Sequence, residues 1–209
     1  LHGIREKVVI SSKAYFPTGE GPNDRGVSRY HLRNSVEASL RRLGTDRIDI
    51  YYIHRFDERT DLEDSLRTLD DLVSAGKILY PGVSNFAAWQ VEKALGVAAV
   101  RGFSSPVVIQ PMYNLLKRQA ESELLPMAAA EGLGVMSYSP LAGGLLTGKY
   151  IGKAQPWGSR FQTNEVYQQR YGDDEYRACS AAFVEFAKER GFSPIALAVA
   201  WVASHPAIT

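Results

Sequence analysis

The sequence has one cysteine, no long apolar run and almost no net charge, and each of these absences excludes a class of protein. Cys179 stands alone among 209 residues, which excludes an internal disulfide and a zinc site built from several cysteines. No apolar run approaches the ~20 residues that cross a bilayer, and LHGIREKVV carries charges where a signal peptide would be apolar. A formal charge of +1, with both signs interleaved, argues against nucleic-acid and membrane-surface binding. We therefore expect a cytoplasmic protein with a small-molecule partner.

Short apolar runs alternate with amphipathic stretches along the first half of the chain. The run KVVISSK predicts a strand over residues 7–13, and RIDIYYIH predicts a second strand that ends at His54. Between them, Ser28 is the predicted cap of a helix that ends at Gly44. A second helix is predicted to open at Asp61. The pattern is that of repeated strand-helix units.

The unit repeats to the end of the chain. Further strands are predicted in ILYPGVSN, VVIQPMYN and LGVMSYSPLAGG, each followed by a helical stretch. Ser193 and Pro194 predict the cap and first turn of a last helix, IALAVAWVA, which is apolar on all sides and therefore expected to be buried. Cys179 falls on the apolar side of its predicted helix, so we expect a packed thiol.

Alternating strands and helices predict an α/β fold with a parallel sheet, either open or closed into a barrel. An open dinucleotide-binding sheet should carry a G-x-G-x-x-G turn after its first strand, and KVVISSKAYFP has none. Polar residues instead collect at the carboxyl ends of the strands, where barrel enzymes hold their chemistry. We therefore predict a (β/α)8 TIM barrel. Only about five strands are recognisable, whereas such a barrel has eight in about 250 residues.

Several ordered motifs carry a resemblance to a known family. These are SVEASLRRLGTDRIDIYYIH, LRTLDDLVSAGKILYPGVSNF, IQPMYNLL and SYSPLAGGLLTGKY, and in order they cover almost the whole chain. The sequence closely resembles the aldo-keto reductases, in particular bacterial members and the potassium-channel β-subunit-like members. The resemblance implies a barrel that binds NADP(H) and transfers hydride to or from a carbonyl carbon.

Two residues match the catalytic positions of that family. The resemblance implies that Lys13, at the end of the family's third strand, lowers the pKa of a catalytic tyrosine. It implies that His54, at the end of the fourth, orients the carbonyl group. Taken alone, Lys13 would be a solvated loop lysine and His54 a hydrogen-bonded residue at a strand end. Asp49 points away from His54 in the strand's alternation, so we expect it to be structural.

Other residues match the family's cofactor-binding positions. Three of them have the donors and acceptors that suit a carboxamide, and the resemblance implies that they hold the nicotinamide amide: Ser84, Asn85 and Gln110. Tyr138 matches the aromatic residue that stacks on the nicotinamide ring. The loop along the pyrophosphate is matched by Ser139, Pro140, Leu141 and Gly143, and the basic residues that neutralise the phosphates by Lys149 and Arg160. No metal site is predicted.

The sequence also departs from the family pattern. The family's catalytic tyrosine and its aspartate lie before the third strand, and its eighth strand and 2'-phosphate-binding helix lie after HPAIT. We therefore expect residues 1–209 to be a single barrel domain, incomplete at both ends and part of a longer polypeptide. The cofactor preference and the substrate are not readable, and neither is the oligomeric state.

Three functions stay open at this point. The first is an NADPH-dependent reductase of aldehydes and ketones. The second is a cofactor-binding, redox-sensing regulatory subunit without significant turnover, against which the presence of His54 argues. The third is an inactive truncated reductase. A phosphate-loop ATPase is excluded, because Tyr150 replaces the Ser or Thr after the G-x-x-x-x-G-K pattern of Gly143–Lys149.

Overall fold

A computed structural model of the chain describes residues 3–152 and 160–209, apart from the side chains of Arg160 and Gln162. The strands are β1 (Ser11–Ala14), β2 (Ile48–Ile53), β3 (Ile78–Ser84), β4 (Val108–Gln110) and β5 (Gly134–Val135). The α-helices are α1 (Arg29–Leu43), α2 (Leu62–Ser74), α3 (Ala88–Arg101), α4 (Leu124–Ala130), α5 (Arg160–Thr163), α6 (Glu165–Tyr171), α7 (Asp174–Glu189) and α8 (Pro194–Ala203). Short 3-10 helices span Arg5–Lys7, Gln119–Glu121 and Ala142–Thr147.

The strands form one sheet in the order β1-β2-β3-β4-β5. Neighbours from β1 to β4 run parallel, with Lys13 opposite Tyr52 and Ser84 opposite Gln110. Consecutive strands are joined through α1, α2, α3 and α4, as parallel pairing requires. The predicted α/β class is confirmed. The fifth strand is shorter than LGVMSYSPLAGG predicted: it ends at Val135.

The chain divides into two compact units. Unit 1 comprises Leu1–Gln110 and Met127–Gly134, and unit 2 comprises Pro111–Pro126 and Val135–Thr209. Unit 1 holds β1 to β4 and the helices α1 to α3. The expectation of one barrel domain over residues 1–209 stays a prediction.

The predicted caps of α1 and α2 are confirmed. Ser28 Oγ accepts a hydrogen bond from the His31 amide at 3.3 Å, and Asp61 Oδ1 accepts one from the Glu63 amide at 3.0 Å. Gly44 ends α1 with φ of 64°, a left-handed conformation that favours glycine. The inward faces of both helices are buried against the sheet: Leu32, Val36, Leu40, Leu62, Leu66, Leu69 and Leu72.

Asp49 anchors the start of β2, as its place in the strand predicted. Its carboxylate accepts hydrogen bonds from Arg5 Nη1 and Nη2, each at 2.9 Å, and from the Ile10 amide at 2.7 Å. Burial raises the pKa of Asp49, but the hydrogen bonds from Arg5 and Ile10 outweigh it and hold the pKa below its usual value. The residue is structural and lies away from the strand ends that carry the candidate site.

Two expectations for unit 2 are wrong. Helix α8 is not buried on all sides: Ala198 and Val202 are covered, whereas Ile195 is 48% and Val199 43% exposed. In unit 2 it packs on α7 and on the 3-10 helix Ala142–Thr147, which cover one side. Cys179 is exposed, because the buried face of α7 follows Ser180, Phe183, Val184 and Ala187, one residue further along the helix.

Across the described parts of the chain, 3–152 and 160–209, none of the helices is long and apolar enough to cross a membrane.

Candidate functional site

Two neighbouring strand ends in unit 1 bring Lys13 and His54 together. Lys13 is the penultimate residue of β1, and His54 follows directly after β2. The His54 amide donates to the Ala14 carbonyl at 3.0 Å, which extends the β1-β2 ladder to this point. Since parallel strands end at the same edge of a sheet, both side chains belong to the carboxyl-end edge.

Burial disfavours the charged form of both groups. It lowers the pKa of Lys13 from its usual value. Burial, followed by the nearby Lys13 ammonium, lowers the pKa of His54 to about 4. At neutral pH the imidazole is therefore uncharged and can donate one N–H bond, whereas the ammonium supplies the positive charge.

The predicted amide-binding residues form a hydrogen-bonded cluster at the same edge. Ser84, 2% exposed, donates from Oγ to the Gln110 carbonyl at 2.8 Å. Asn85 Nδ2 donates to Ser84 Oγ at 3.0 Å and to the His54 carbonyl at 2.9 Å. The Gln110 side chain in turn accepts a hydrogen bond from the Lys13 ammonium through Oε1. Lys13, His54, Ser84, Asn85 and Gln110 are thus one connected group.

Asn85 owes its orientation to an unusual backbone conformation. Its φ of 55° is left-handed, a region that asparagine tolerates better than most residues. The turn after β3 therefore aims the Asn85 amide back toward His54 instead of along α3.

An aromatic side chain that the motifs did not single out lies beside His54. The rings of Phe16 and His54 meet edge to face with centroids 4.8 Å apart, and Phe16 is 51% exposed. Lys13, His54 and Phe16 line one cavity of about 450 Å³, together with Ser35 and Ser39 of α1. This volume is large enough for a small organic molecule.

The cofactor positions of the later motif lie in unit 2, in a loop with a special backbone. Tyr138 is held by backbone bonds, with its amide donating to Pro111 at 3.0 Å and its carbonyl accepting from Tyr113 at 3.3 Å. Ser139, which precedes Pro140, has φ of 61°. Leu141 has φ of −93° and ψ of 11°, and Ala142 has φ of 50°. Such a right-handed residue followed by a left-handed one makes a concave arrangement of backbone N–H groups that suits an anion.

Two glycines allow close approach to this loop. A Cβ on Gly143, whose φ is 68°, would lie 2.6 Å from Tyr167 Cδ1. A Cβ on Gly144 would lie 2.7 Å from Lys149 Cε, so the Lys149 side chain passes directly over the loop. Lys149 is therefore brought to the predicted pyrophosphate loop. The side chain of Arg160, the other predicted phosphate ligand, lies outside the described residues.

Asn114 is a residue of unit 2 that the sequence reasoning missed. It lies in the quoted motif IQPMYNLL, and its side chain is fully buried. Asn114 Nδ2 donates to the Ser139 carbonyl at 3.0 Å. The signal for Asn114 was an asparagine inside a largely apolar motif, a residue that needs partners wherever it is buried.

The described residues fit a nicotinamide dinucleotide in chemical type. Unit 1 offers amide and hydroxyl groups suited to a carboxamide, next to one half-buried cation and one neutral imidazole. Unit 2 offers a concave backbone, a basic side chain and two glycines that let Tyr167 and Lys149 pack closely against the loop.

Comparison with known proteins agrees with this chemistry. The sequence profile described as the Aldo/keto reductase family matches residues 1–209. An uncharacterized oxidoreductase of Bacillus subtilis is 39% identical over 209 residues, which cover 98% of this chain and 62% of that protein. A probable voltage-gated potassium channel subunit beta of Oryza sativa is 38% identical over 98% of this chain and 63% of its own length. The L-glyceraldehyde 3-phosphate reductase of Escherichia coli is 35% identical over 98% of this chain and 60% of its own length.

The chain thus spans less than two thirds of the length of these relatives. Its match to the family profile nevertheless extends over every residue. The chain belongs to the aldo/keto reductase family of oxidoreductases, whose fold is the (β/α)8 barrel, and its parallel sheet is part of such a barrel.

Proposed function

We propose that the protein is an NADPH-dependent oxidoreductase that reduces aldehydes or ketones to alcohols by hydride transfer. The observation that carries this proposal is the connected group at the carboxyl-end edge of unit 1, where Lys13 and His54 meet Ser84, Asn85 and Gln110. The family's general use of NAD(P)H and the reductases among the relatives support it.

In this proposal Lys13 and His54 act on the carbonyl oxygen and its proton. Reduction of a carbonyl builds negative charge on oxygen, and preorganised donors and cations at that position stabilise the charge. Neutral His54 donates an N–H bond to the oxygen and orients the carbonyl group. The Lys13 ammonium lowers the pKa of the hydroxyl that delivers the proton. That hydroxyl is not assigned to a residue of this chain: Tyr52 lies 5.7 Å from Lys13 Nζ by its ring centroid but is fully buried.

Ser84, Asn85 and Gln110 bind the carboxamide of the nicotinamide in this proposal. When bound, the nicotinamide supplies the hydride. The hydroxyl and the two side-chain amides can exchange their mutual hydrogen bonds for bonds to a ligand amide, because they carry the same donor and acceptor types. Binding there fixes the ring beside His54, and a fixed orientation contributes a large part of the rate in such reactions.

The remaining proposed cofactor roles fall on residues of unit 2 and rest on the family resemblance. Tyr138 stacks on the nicotinamide ring, and the loop from Ser139 through Pro140 and Leu141 to Gly143 follows the pyrophosphate. Lys149 and Arg160 neutralise the phosphate charges. A preference for NADPH over NADH rests on the family resemblance, and a cytoplasmic location rests on the low cysteine content.

The substrate is a small carbonyl compound. The cavity of about 450 Å³ beside Lys13 and His54 accommodates such a molecule, and Phe16 gives it one apolar wall. No oligomeric state is proposed.

Fluorescence titration of the purified protein with NADPH and then NADH tests the proposal. We expect saturable binding at one site, tighter for NADPH, followed by loss of the near-ultraviolet absorbance of NADPH when a panel of aldehydes and ketones is added. An absence of binding to either nucleotide would refute the cofactor assignment.

A cofactor-binding regulatory subunit is the second candidate. The 38% identity to a probable potassium channel subunit beta favours it. Both candidates predict NADPH binding, but this one predicts no turnover of any carbonyl in the panel. His54 argues for the reductase, because a neutral imidazole beside the cofactor is a group that carbonyl reduction uses.

A further inference from the structure

The buried side chain of Asn114 in unit 2 makes four hydrogen bonds. Its Oδ1 accepts hydrogen bonds from the amides of Leu116 and Lys117, each at 3.0 Å. Its Nδ2 donates to the Ser139 carbonyl and to the Tyr171 hydroxyl, each also at 3.0 Å. Two acceptor bonds and two donor bonds use the full capacity of a side-chain amide. One buried side chain therefore ties its own turn to two distant segments of the chain.

The bond to the Ser139 carbonyl stabilises an unfavourable backbone conformation. Ser139 has φ of 61°, which is rare and unfavourable for a residue with a Cβ. Its carbonyl accepts a second hydrogen bond from the Ala142 amide at 2.9 Å. Asn114 and Ala142 together fix the direction of the peptide that follows Ser139, and so the start of the loop that continues to Gly144.

Position 114 requires asparagine because of the two N–H bonds that its side chain donates, and not because of the turn at Leu116 and Lys117. Aspartate or serine can make the same turn by accepting the Leu116 and Lys117 amides. Neither can also donate to two partners on the other side. The amide is needed for the bond to Ser139 and Tyr171.

We propose that Asn114 is a positioning residue that holds the loop Ser139–Gly144 in the conformation that binds the cofactor pyrophosphate. The inference rests on the proposed function, which assigns that loop to the cofactor. Asn114 is fully buried and acts through the Ser139 carbonyl without touching the ligand.

A matched pair of substitutions separates this role from general packing. Asn114→Ser keeps an acceptor for the turn but removes the amide nitrogen that donates to Ser139 and Tyr171. Tyr171→Phe removes the other partner of the same amide and leaves the bond to Ser139 in place. We expect both variants to melt at lower temperature, since each loses two hydrogen bonds: Asn114→Ser the two from Nδ2, and Tyr171→Phe the one from Asn114 and its own to Met112.

The readout is the dissociation constant and the stoichiometry of NADPH binding, measured by fluorescence titration of the purified protein. Asn114→Ser should weaken NADPH about tenfold, as expected for one lost hydrogen bond, with the number of sites per folded chain unchanged. Tyr171→Phe should stay within about threefold of the wild type. A purely structural defect would lower the number of binding sites per total protein, because part of the sample would be unfolded. It would leave the dissociation constant of the folded fraction unchanged.

Two results would overturn the proposal: unchanged affinity in Asn114→Ser, or equal weakening in Tyr171→Phe. If the serine variant does not fold, Asn114→Asp replaces it, because it has the same size and the same turn-forming oxygens but no donor. If the wild-type protein binds neither NADPH nor NADH, the proposed function fails first. Hydrogen exchange then decides the inference alone: amides of residues 139–144 should exchange faster in Asn114→Ser than in Tyr171→Phe, and equal rates would contradict it.

Discussion

The two units position their candidate residues by different means. Unit 1 places side chains at the ends of parallel strands, and Lys13 and His54 take their positions from the β1-β2 register. Unit 2 shapes its backbone, and four of the six residues from Ser139 to Gly144 have positive φ. In the proposed function, side chains do the chemistry in unit 1, whereas peptide groups bind the pyrophosphate in unit 2.

This difference sets what a substitution can do in each unit. A strand holds its conformation by ladder hydrogen bonds, so a side chain at its end can be exchanged with little effect on the backbone. A loop with left-handed residues depends on every contact that keeps it there. Substitutions in unit 1 should therefore change rates, and substitutions in unit 2 should change affinity and stability together.

The largest expected effect is the loss of hydride transfer in Lys13→Met. The variant keeps an apolar stem of similar length but removes the half-buried positive charge and its bond to Gln110. We expect kcat to fall at least a hundredfold, the lower end of what acid-base groups contribute. Steady-state kinetics at saturating NADPH measures it. NADPH affinity should change by less than about threefold, because the phosphate contacts belong to unit 2.

The matched control is Lys7→Met, which alters an exposed lysine of the first 3-10 helix. It should leave kcat within about twofold of the wild type, since exposed surface charges contribute little. Equal kcat values for the two variants would remove Lys13 from the catalytic group.

The sequence predicted unit 1 better than unit 2, and the reason is physical. Ser28, Gly44 and Asp61 act on their own neighbours along the chain, so caps and helix ends can be recognised locally. The strand-end residues follow from the same local patterns, because parallel strands bring their ends to one edge. The roles of those residues came from the family resemblance and stay proposals.

The features missed in unit 2 depend on contacts distant in sequence. Asn114 donates hydrogen bonds to Ser139 and Tyr171, which lie 25 and 57 residues away. No local sequence pattern predicts either partner. The misjudged burial of α8 has a related cause: composition shows that a helix is apolar, but only its neighbours decide which side is covered. In unit 1, the ring contact between Phe16 and His54 was missed for the same reason, because the position of Phe16 in a loop does not predict its partner.

Gly143→Ala should give the second largest effect. The added Cβ would lie 2.6 Å from Tyr167 Cδ1, at a residue whose φ is 68°. Backbone strain and crowding together should lower the free energy of unfolding by about 1–3 kcal/mol. They should also weaken NADPH about tenfold, because the ring must shift or the loop must open. Urea unfolding and fluorescence titration measure the two quantities.

Gly96→Ala is the matched control in unit 1. Gly96 lies exposed in α3, and a Cβ there would meet nothing within 4 Å. Alanine favours a helix interior over glycine, so this variant should gain up to about 1 kcal/mol of stability and bind NADPH normally. If both alanines behave alike, the loop of unit 2 has no special backbone requirement and the contrast between the units fails.

The smallest effect concerns the pH dependence of stability in unit 1. Burial and Lys13 lower the pKa of His54 to about 4 from its usual 6.5. Below pH 6.5 His54 binds a proton in the unfolded chain but stays neutral in the folded chain until the pH approaches about 4. Stability therefore falls as the pH drops between these two values. Above the window both states are neutral and nothing changes. Because the imidazole is only half-buried, solvent screening should keep the loss near or below about 1 kcal/mol.

His54→Asn isolates this contribution from the carboxylates that also titrate in acid. Asn cannot take up a proton, so the stability difference between wild type and variant should be constant from about pH 7 to 8 and shift in favour of the variant toward about pH 5. Urea unfolding at each pH gives the difference directly. A difference that is flat across the whole range would mean that His54 titrates normally in the folded chain. The imidazole would then be partly charged near neutral pH, and its proposed role as a neutral donor to the carbonyl oxygen would have to be given up.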